Sequence, residues 1–335
     1  MRGRVAVVHD WLTGMRGGEQ VLEAILESLP GADLFTLFHF RGSVSRAIEA
    51  RTIHTSPLQG IATRVHDYRT LLPFYPFAAR SWDFSGYDLI VSSSHCVAKG
   101  IDARGKPHLS YCHTPMRYIW DRFDDYFPRS KPVMRAAATL VAGPLRRWDV
   151  KTAPEVTQFL ANSEFVRGRI RMYYDRDAEV VHPFVDNAFL RRPLSHERGN
   201  YHLVVSALVP YKRVDLAVEA AEAAGKKLVV IGGGPMLAKF QRRASPNVEF
   251  LGSVDRARII ERLSYAQSLI LPGIEDFGIT PLEAMALGTP VVAYRAGGAL
   301  DTVADRVSGI FFNEPVVESL RLALDEVEKR QWDRD

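Results

Sequence analysis

Cysteine is nearly absent: Cys96 and Cys112 are the only two in 335 residues, and they lack CxxC spacing. That argues against a disulfide framework and against a metal site of the cysteine type. Long apolar runs are also missing. The longest, around Ala136–Gly143, falls far short of the roughly 20 residues a membrane-spanning helix needs. The first residues, Met1-Arg2-Gly3-Arg4-Val5, lead straight into a strand-like run and leave no room for a secretory signal, so a cytosolic protein is expected. No GxxxxGKS/T loop occurs, and Leu237 stands where a GxGxxG fingerprint starting at Gly232 needs its last glycine. A P-loop NTPase and a nicotinamide dehydrogenase lose their main support. Repeats of solenoid length and low-complexity segments are absent as well.

What is present is the composition of an ordinary globular protein, 47% apolar and 24% charged, in a chain long enough for two cores. Short β-branched runs alternate with helical patterns throughout. Val5–Val8, Leu34–Leu37, Leu89–Val91, Leu109–Tyr111 and Thr157–Leu160 read as strands in the first half. Leu203–Val205, Leu228–Ile231, Val248–Leu251, Ser268–Leu271 and Val291–Ala293 do so in the second. Nearly continuous apolar strands between helices indicate parallel sheets covered on both faces. The segment Glu19–Leu29 shows the matching helical stripe, with Val21, Leu22, Ile25, Leu26 and Leu29 on one side. The fold class is therefore α/β, with two doubly wound domains. A break near His182-Pro183-Phe184-Val185-Asp186, followed by the polar stretch 191–200, divides them into residues 1–186 and 187–335. Ligands of such domains gather at the carboxyl ends of the strands, in a cleft.

The net charge of +4 is unevenly spread. Residues 1–187 carry 24 Lys and Arg against 20 Asp and Glu, while residues 188–335 carry 19 of each. The stretch Lys131 to Arg147 is basic and apolar and holds no acid. It reads either as a solvated helix face or as a surface for an anionic membrane or a lipid-phosphate acceptor. The excess is small and no recognition motif accompanies it, so nucleic acid is not an expected partner.

Three loops of the second half carry candidate chemistry. Gly273-Ile274-Glu275-Asp276-Phe277-Gly278-Ile279-Thr280-Pro281-Leu282-Glu283 follows a strand and opens a helix. Thr280 is expected as the cap and Pro281 as the first helical residue, with amides at the helix start suited to phosphate or hydroxyl groups. Glu283 lies three residues after Thr280, where it would complete a capping box; a carboxylate there would equally accept hydrogen bonds from ribose hydroxyls. Glu275 is expected to reach into the cleft. In Val209-Pro210-Tyr211-Lys212-Arg213, two cations open the helix Val214–Ala223 against its dipole, which an anion such as a diphosphate would relieve. Gly232-Gly233-Gly234-Pro235 is a weaker glycine turn between strand and helix.

In the first half, Gly17 and Gly18 allow close approach of a ligand at a helix start, although a simple tight turn explains the pair too. His113, in Cys112-His113-Thr114-Pro115, lies just past a strand end, and Ser163 in Asn162-Ser163 is suited to cap the following helix.

Together these loops resemble the retaining glycosyltransferases of family 4, whose fold is GT-B: two Rossmann-like domains facing across a cleft. The points of match are Gly17-Gly18, His113-Thr114-Pro115, Asn162-Ser163, Lys212-Arg213, Gly232–Pro235, and the E-x7-E pair Glu275 and Glu283 followed by Gly288-Thr289-Pro290. The phrases HDWLTGMRGGE, CHTPMRYIWD and VPYKRVD look most like bacterial mannosyltransferases of lipopolysaccharide and exopolysaccharide synthesis. The resemblance implies an acceptor-binding first domain and a donor-binding second one. It implies a nucleotide diphosphate-sugar donor, GDP-mannose best, and a glycan or lipid-linked sugar acceptor. The enzyme would be cytoplasmic or peripheral at the inner face of a membrane, with neither metal nor resident cofactor.

By position, the resemblance gives Lys212 the donor diphosphate, assisted by Arg213, Glu283 the ribose, and Glu275 the transferred sugar. It gives sugar or phosphate contacts to the main chain of Phe277, Gly278, Ile279 and Thr280. His113 would touch the sugar, and Gly17, Gly18 and Gly233 would line the donor. Aromatics of Tyr68–Trp82 and Tyr118–Tyr126 are candidates for stacking on an acceptor. Two departures stand out: Ala207 occupies a position where many members carry Arg, and Glu314–Arg330 is the last helical pattern, where members usually have a helix crossing back to the first domain. A UDP-sugar enzyme of the same fold and a non-catalytic nucleotide-sugar-binding protein are the alternatives.

Overall fold

The computed structural model describes residues 3–333 except 66, 193, 195 and 196; the first two residues, part of the polar stretch 191–200 and the last two residues lie outside that set. The chain forms two compact units, the first ending at Pro183 and the second beginning at Phe184.

The first unit is built on seven parallel strands: β1 Val5–His9, β2 Asp33–Thr36, β3 Ile53–Thr55, β4 Leu89–Ser94, β5 His108–Cys112, β6 Gln158–Ala161 and β7 Ala178–Val180. Their order is β3-β2-β1-β4-β5-β6-β7. Every residue of β1 is buried, because both faces of the sheet are covered. Val5 and Val7 pack with Leu22 and Leu26 of the helix Gly17–Ser28. Ala6 and Val8 face an aromatic layer that includes Trp11, Phe38 and Tyr75. That layer absorbs most of the aromatics expected at an acceptor. Tyr75 and Trp82 are core, and only Phe74 and Phe77 of that stretch stand exposed. Lys99 and Asp149 form a buried ion pair at 3.0 Å, completed by Trp120 and Tyr174, which both donate to Asp149. A buried pair is tolerated when its remaining lone pairs are used in this way.

The second unit has six parallel strands: β8 Tyr201–Val205, β9 Lys227–Ile231, β10 Val248–Gly252, β11 Leu269–Leu271, β12 Val291–Tyr294 and β13 Gly309–Phe312, in the order β10-β9-β8-β11-β12-β13. Val204, Val230, Ile270 and Val292 point to one face, where Leu320 and Leu324 of the last helix, Val317–Lys329, cover them. Leu203, Val229, Leu269 and Val291 point to the other, against Ile260, Leu263 and Ala284. The last helix therefore packs on its own sheet, beside the helix Val214–Ala223.

In each sheet the chain reverses its direction of travel once, between β1 and β4 in the first and between β8 and β11 in the second. Loops leaving adjacent strands at such a point diverge to opposite faces and open a crevice at the carboxyl ends. The candidate loops follow β1, β5, β8, β9 and β11. β3 and β13 were not expected from the sequence: β3 ends on the exposed His54 and Thr55, and β13 opens on a glycine, so neither reads as a β-branched apolar run.

Candidate functional site

At the switch point of the second sheet, the loop after β8 and the loop after β11 are pressed together. A Cβ on Gly273 would lie 2.7 Å from the carbonyl oxygen of Tyr211 and 2.9 Å from the Lys212 carbonyl, so only glycine lets these backbones approach. From the other side, a Cβ on Gly298 would lie 2.4 Å from the Cα of Phe277, and the Gly298 amide donates to the Glu275 carbonyl at 2.8 Å. The segment 273–277 is thus clamped by backbone on both sides. The Gly233 carbonyl accepts from the Leu208 amide at 2.8 Å, holding the glycine turn against the loop that carries Lys212.

Lys212 sits in a short 3-10 turn, Pro210–Lys212, and Arg213 follows in the left-handed conformation at φ 52°. Both precede the helix Val214–Ala223, as expected, and Arg213 is its N-cap residue. The cations are met by carboxylates: the Lys212 ammonium donates to Glu275, and Arg213 approaches Asp215 at 3.4 Å. The Lys212–Glu275 pair is mostly buried, where an ion pair resists screening better than one in open water.

The helix expected to start at Pro281 starts at Ile279, with Gly278 as its cap at φ 89°. Thr280 and Pro281 fall within the first turn, and no side chain caps this end. The capping box of Thr280 and Glu283 does not form, because the left-handed turn at Gly278 lets the helix begin earlier. Phe277 is buried. Glu283 is 9% exposed, and among the described residues it has no hydrogen-bond or ion-pair partner. Burial pushes its carboxyl up to about 7, with Asp186 adding to the rise and Arg256 opposing it. A buried carboxylate without donors is costly, so a ligand offering hydroxyl groups would relieve it.

In the first unit, Asp10 is fully buried just beyond β1. Its carboxylate accepts four backbone N–H bonds, from His95, Cys96, Val97 and Ala98, at 2.6–2.9 Å. That ties the loop after β1 to the loop after β4. Gly17 is the first residue of its helix, and Glu19 closes the helix start by accepting from the Arg16 amide at 3.0 Å. A Cβ on Gly18 would lie 3.8 Å from the His9 ring and 3.9 Å from His113, an ordinary contact with room to spare. Ser93 stands between the two histidines, 3.1 Å from His9 Nδ1 and 2.8 Å from His113 Nε2. Burial, with the His95 and His9 rings and Arg117, holds the His113 pKa well below its ordinary value. Asn162 donates to the His113 carbonyl at 3.0 Å. Ser163 caps the helix Glu164–Tyr174, as its sequence position implies. Arg169 anchors the same loop by donating to Thr114 at 2.6 Å.

The structure thus brings Lys212, Glu275, Phe277 and Gly278 into one cluster leading directly to Ile279, Thr280 and Glu283. Arg213 and Gly233 border its loop, and Gly17, Gly18 and His113 meet in the first unit. Sequence reasoning passed over His9, Asp10, Glu19 and Ser93. Their signals were the phrase HDWLTGMRGGE, which holds the first three, and polar residues where strands end, His9-Asp10 at the end of β1 and Ser92-Ser93-Ser94 in β4.

Comparison with known proteins identifies the second unit. Residues 186–335 match the family described as Glycosyl transferases group 1. The second unit is a group 1 glycosyltransferase domain. Glycogen synthase of Xanthomonas oryzae pv. oryzae (strain PXO99A) is 30% identical over 200 residues, covering 57% of this chain and 38% of that protein. A D-inositol 3-phosphate glycosyltransferase of Jonesia denitrificans is 29% identical over 185 residues, 45% of this chain and 44% of that one. The chain therefore spans less than half the length of these curated relatives. Among solved structures, Anabaena Alr3699/HepE in complex with UDP-glucose aligns over 97% of this chain and 89% of its own, with TM-score 0.69 and 17% identity. Sucrose-phosphate synthase (tll1590) of Thermosynechococcus elongatus aligns over 97% and 90%, with TM-score 0.71 and 17% identity. The glycosyltransferase domain and the unit before it share the α/β GT-B fold of these structures. No helix among the described residues is long and apolar enough to cross a membrane.

Proposed function

We propose that the chain is a retaining glycosyltransferase that moves a sugar from a nucleotide diphosphate-sugar to a glycan or lipid-linked acceptor in bacterial surface polysaccharide synthesis. The observation that carries this reading is Glu283: a buried carboxylate with no partner among the described residues, one turn into a helix whose start no side chain caps, following the loop whose Glu275 engages Lys212. A ligand that answers all three features is an anion bearing hydroxyl groups, as a nucleotide diphosphate-sugar is. Glu283 would accept from the ribose hydroxyls. Lys212, assisted by Arg213, would turn from Glu275 to the diphosphate and stabilise the charge that grows on the leaving nucleotide. Glu275, released, would face the sugar where positive character develops. The amides of Ile279 and Thr280 add donors at the positive end of the helix. Attack from the leaving-group face within a tight ion pair retains the anomeric configuration and calls for no metal.

GDP-mannose is the proposed donor, on the strength of the mannosyltransferase-like phrases around His9, His113 and Lys212. A UDP-sugar is the second reading, favoured by Alr3699/HepE, whose structures are described with UDP-glucose and with UDP. A thermal-shift panel of GDP, UDP and dTDP separates them, since the preferred nucleotide alone raises the melting temperature strongly. If none of the three does so, the donor-binding reading fails.

The protein is further read as working in the cytoplasm, at an anionic membrane surface. Support comes from the helix Pro132–Thr152, where Val133 is 84% and Leu140 79% exposed and Lys131 and Arg147 stand exposed nearby. The one acid of that helix, Asp149, is turned inward to Lys99. Apolar side chains flanked by cations suit the boundary between headgroups and acyl chains. Sedimentation with phosphatidylglycerol vesicles at low salt, absent with phosphatidylcholine vesicles, is the expected result; equal indifference to both removes this part of the reading.

A further inference from the structure

The polar groups around His113 form a chain that ends on a carboxylate. Glu19 Oε1 lies 3.9 Å from His9 Nε2. His9 Nδ1 lies 3.1 Å from Ser93 Oγ, and Ser93 Oγ lies 2.8 Å from His113 Nε2. His9, Ser93 and Glu19 are buried. His113 Nδ1, at the far end, makes no hydrogen bond to the described residues, and His113 is less completely buried than His9 or Ser93. A serine hydroxyl has one proton to give, so it must donate to one ring and accept from the other. The direction of the whole chain is therefore set at its buried end.

We propose that Glu19, His9 and Ser93 are positioning residues that fix His113 as its Nε2–H tautomer, leaving Nδ1 as a hydrogen-bond acceptor for a hydroxyl of the donor sugar. The Glu19 carboxyl lies below its ordinary value: burial raises its pKa, but the interactions with His9 and His95 and a backbone hydrogen bond outweigh that. A negative charge facing Nε2 of His9 favours a proton on that nitrogen. With its one proton on Nε2, His9 accepts from the Ser93 hydroxyl at Nδ1, 3.1 Å away. The Ser93 oxygen in turn accepts from His113 Nε2–H. A doubly protonated His9 would reverse every bond and present Nδ1–H at the far end, which repels a donating hydroxyl. The tautomer follows from the first unit alone; its use on a sugar rests on the function proposed above.

The test is long-range proton–nitrogen NMR of the full chain labelled with 15N-histidine, without ligand. The His113 resonances are assigned by their loss in His113→Gln. The expected result is a single Nε2–H tautomer; an Nδ1–H form, or an even mixture, overturns the proposal. Ser93→Ala should convert the signal to a mixture, and a tautomer unchanged in that variant also overturns it. His9→Asn, which keeps a polar group where Nδ1 stands, serves as a second variant should Ser93→Ala fail to fold, and should keep the wild-type tautomer where His9→Leu loses it. With hydrolysis of the nucleotide-sugar as readout, Ser93→Ala is expected to lower kcat about tenfold and leave KM within about twofold. Wild-type protein that shows the expected tautomer but hydrolyses no nucleotide-sugar would refute the proposed function and leave the relay standing.

Discussion

The two units solve the same problem in opposite ways. Around His113 the polar groups are tied to one another: Asp10 takes four backbone amides, Ser93 links two imidazoles, and Arg169 and Asn162 hold the loop. Around Glu283 the backbone is clamped at Gly273 and Gly298, but the Glu283 carboxyl has no partner among the described residues. The first arrangement is a linked network with His113 at its end. The second stores an unmet demand for hydrogen bonds and an ion pair that can be exchanged. Affinity for an anionic, hydroxylated ligand is therefore expected to reside mainly in the second unit, and orientation of the reacting end in the first.

The largest test of that contrast is Lys212→Ala. Removing the cation proposed to meet the diphosphate should cut sugar transfer or donor hydrolysis by about a hundredfold or more, measured by release of nucleotide. A variant within about threefold of wild type would show that the charge lies elsewhere.

Next is Glu283→Gln, for which function and stability should move apart. The folded carboxyl titrates at about 7, above its unfolded value of about 4.3. The folded state therefore holds the extra proton between those limits, and wild-type stability falls as pH rises through that window. The amide escapes the penalty, so the variant should be more stable than wild type by about 2 kcal/mol at pH 8, with the advantage fading by pH 4. Its nucleotide affinity should drop about tenfold, read by calorimetry. A destabilised variant at pH 8 would mean that the carboxylate has partners after all.

Gly18→Ala is expected to separate the two units more finely. The added methyl group meets only imidazole edges at 3.8–3.9 Å and favours the helix it joins, so stability should stay within about 1 kcal/mol of wild type. Transfer should still fall, by about tenfold, if the donor must pass close to this backbone. Unchanged kinetics would remove Gly18 from the site.

The smallest effect lies away from both sites. His202 donates to Glu328 at 2.9 Å, and Lys226 does so at 2.5 Å. The hydrogen bond from His202, aided by Lys226, lowers the Glu328 carboxyl to about 2 against the effect of burial. A depressed carboxyl contributes stability above its unfolded pKa and loses it as pH falls towards the folded value. Glu328→Gln should cost about 1 kcal/mol at pH 7 after allowance for its exposure, and nearly nothing at pH 2. Chemical denaturation at the two pH values decides it.

The sequence by itself determined the architecture. Apolar runs too continuous for one-sided sheets, such as Val5–Val8 and Leu228–Ile231, require helices on both faces, and the alternation of strand and helix then forces parallel, doubly wound units. It also determined which loops could matter, because glycines and charged residues follow strands only at a few places. Tertiary structure decided what those residues meet. Thr280 looked like a cap by spacing, yet Gly278 took that role, since a left-handed turn depends on how the preceding loop is clamped and not on the residue three places ahead. The pairing of Lys212 with Glu275 joins residues 63 positions apart, and the chain from Glu19 to His113 crosses three strand ends. Local pattern carries no information on such contacts: they arise when strands distant in the chain become neighbours at a switch point, and burial then decides which polar groups satisfy one another and which, like Glu283, are left without a partner among the described residues.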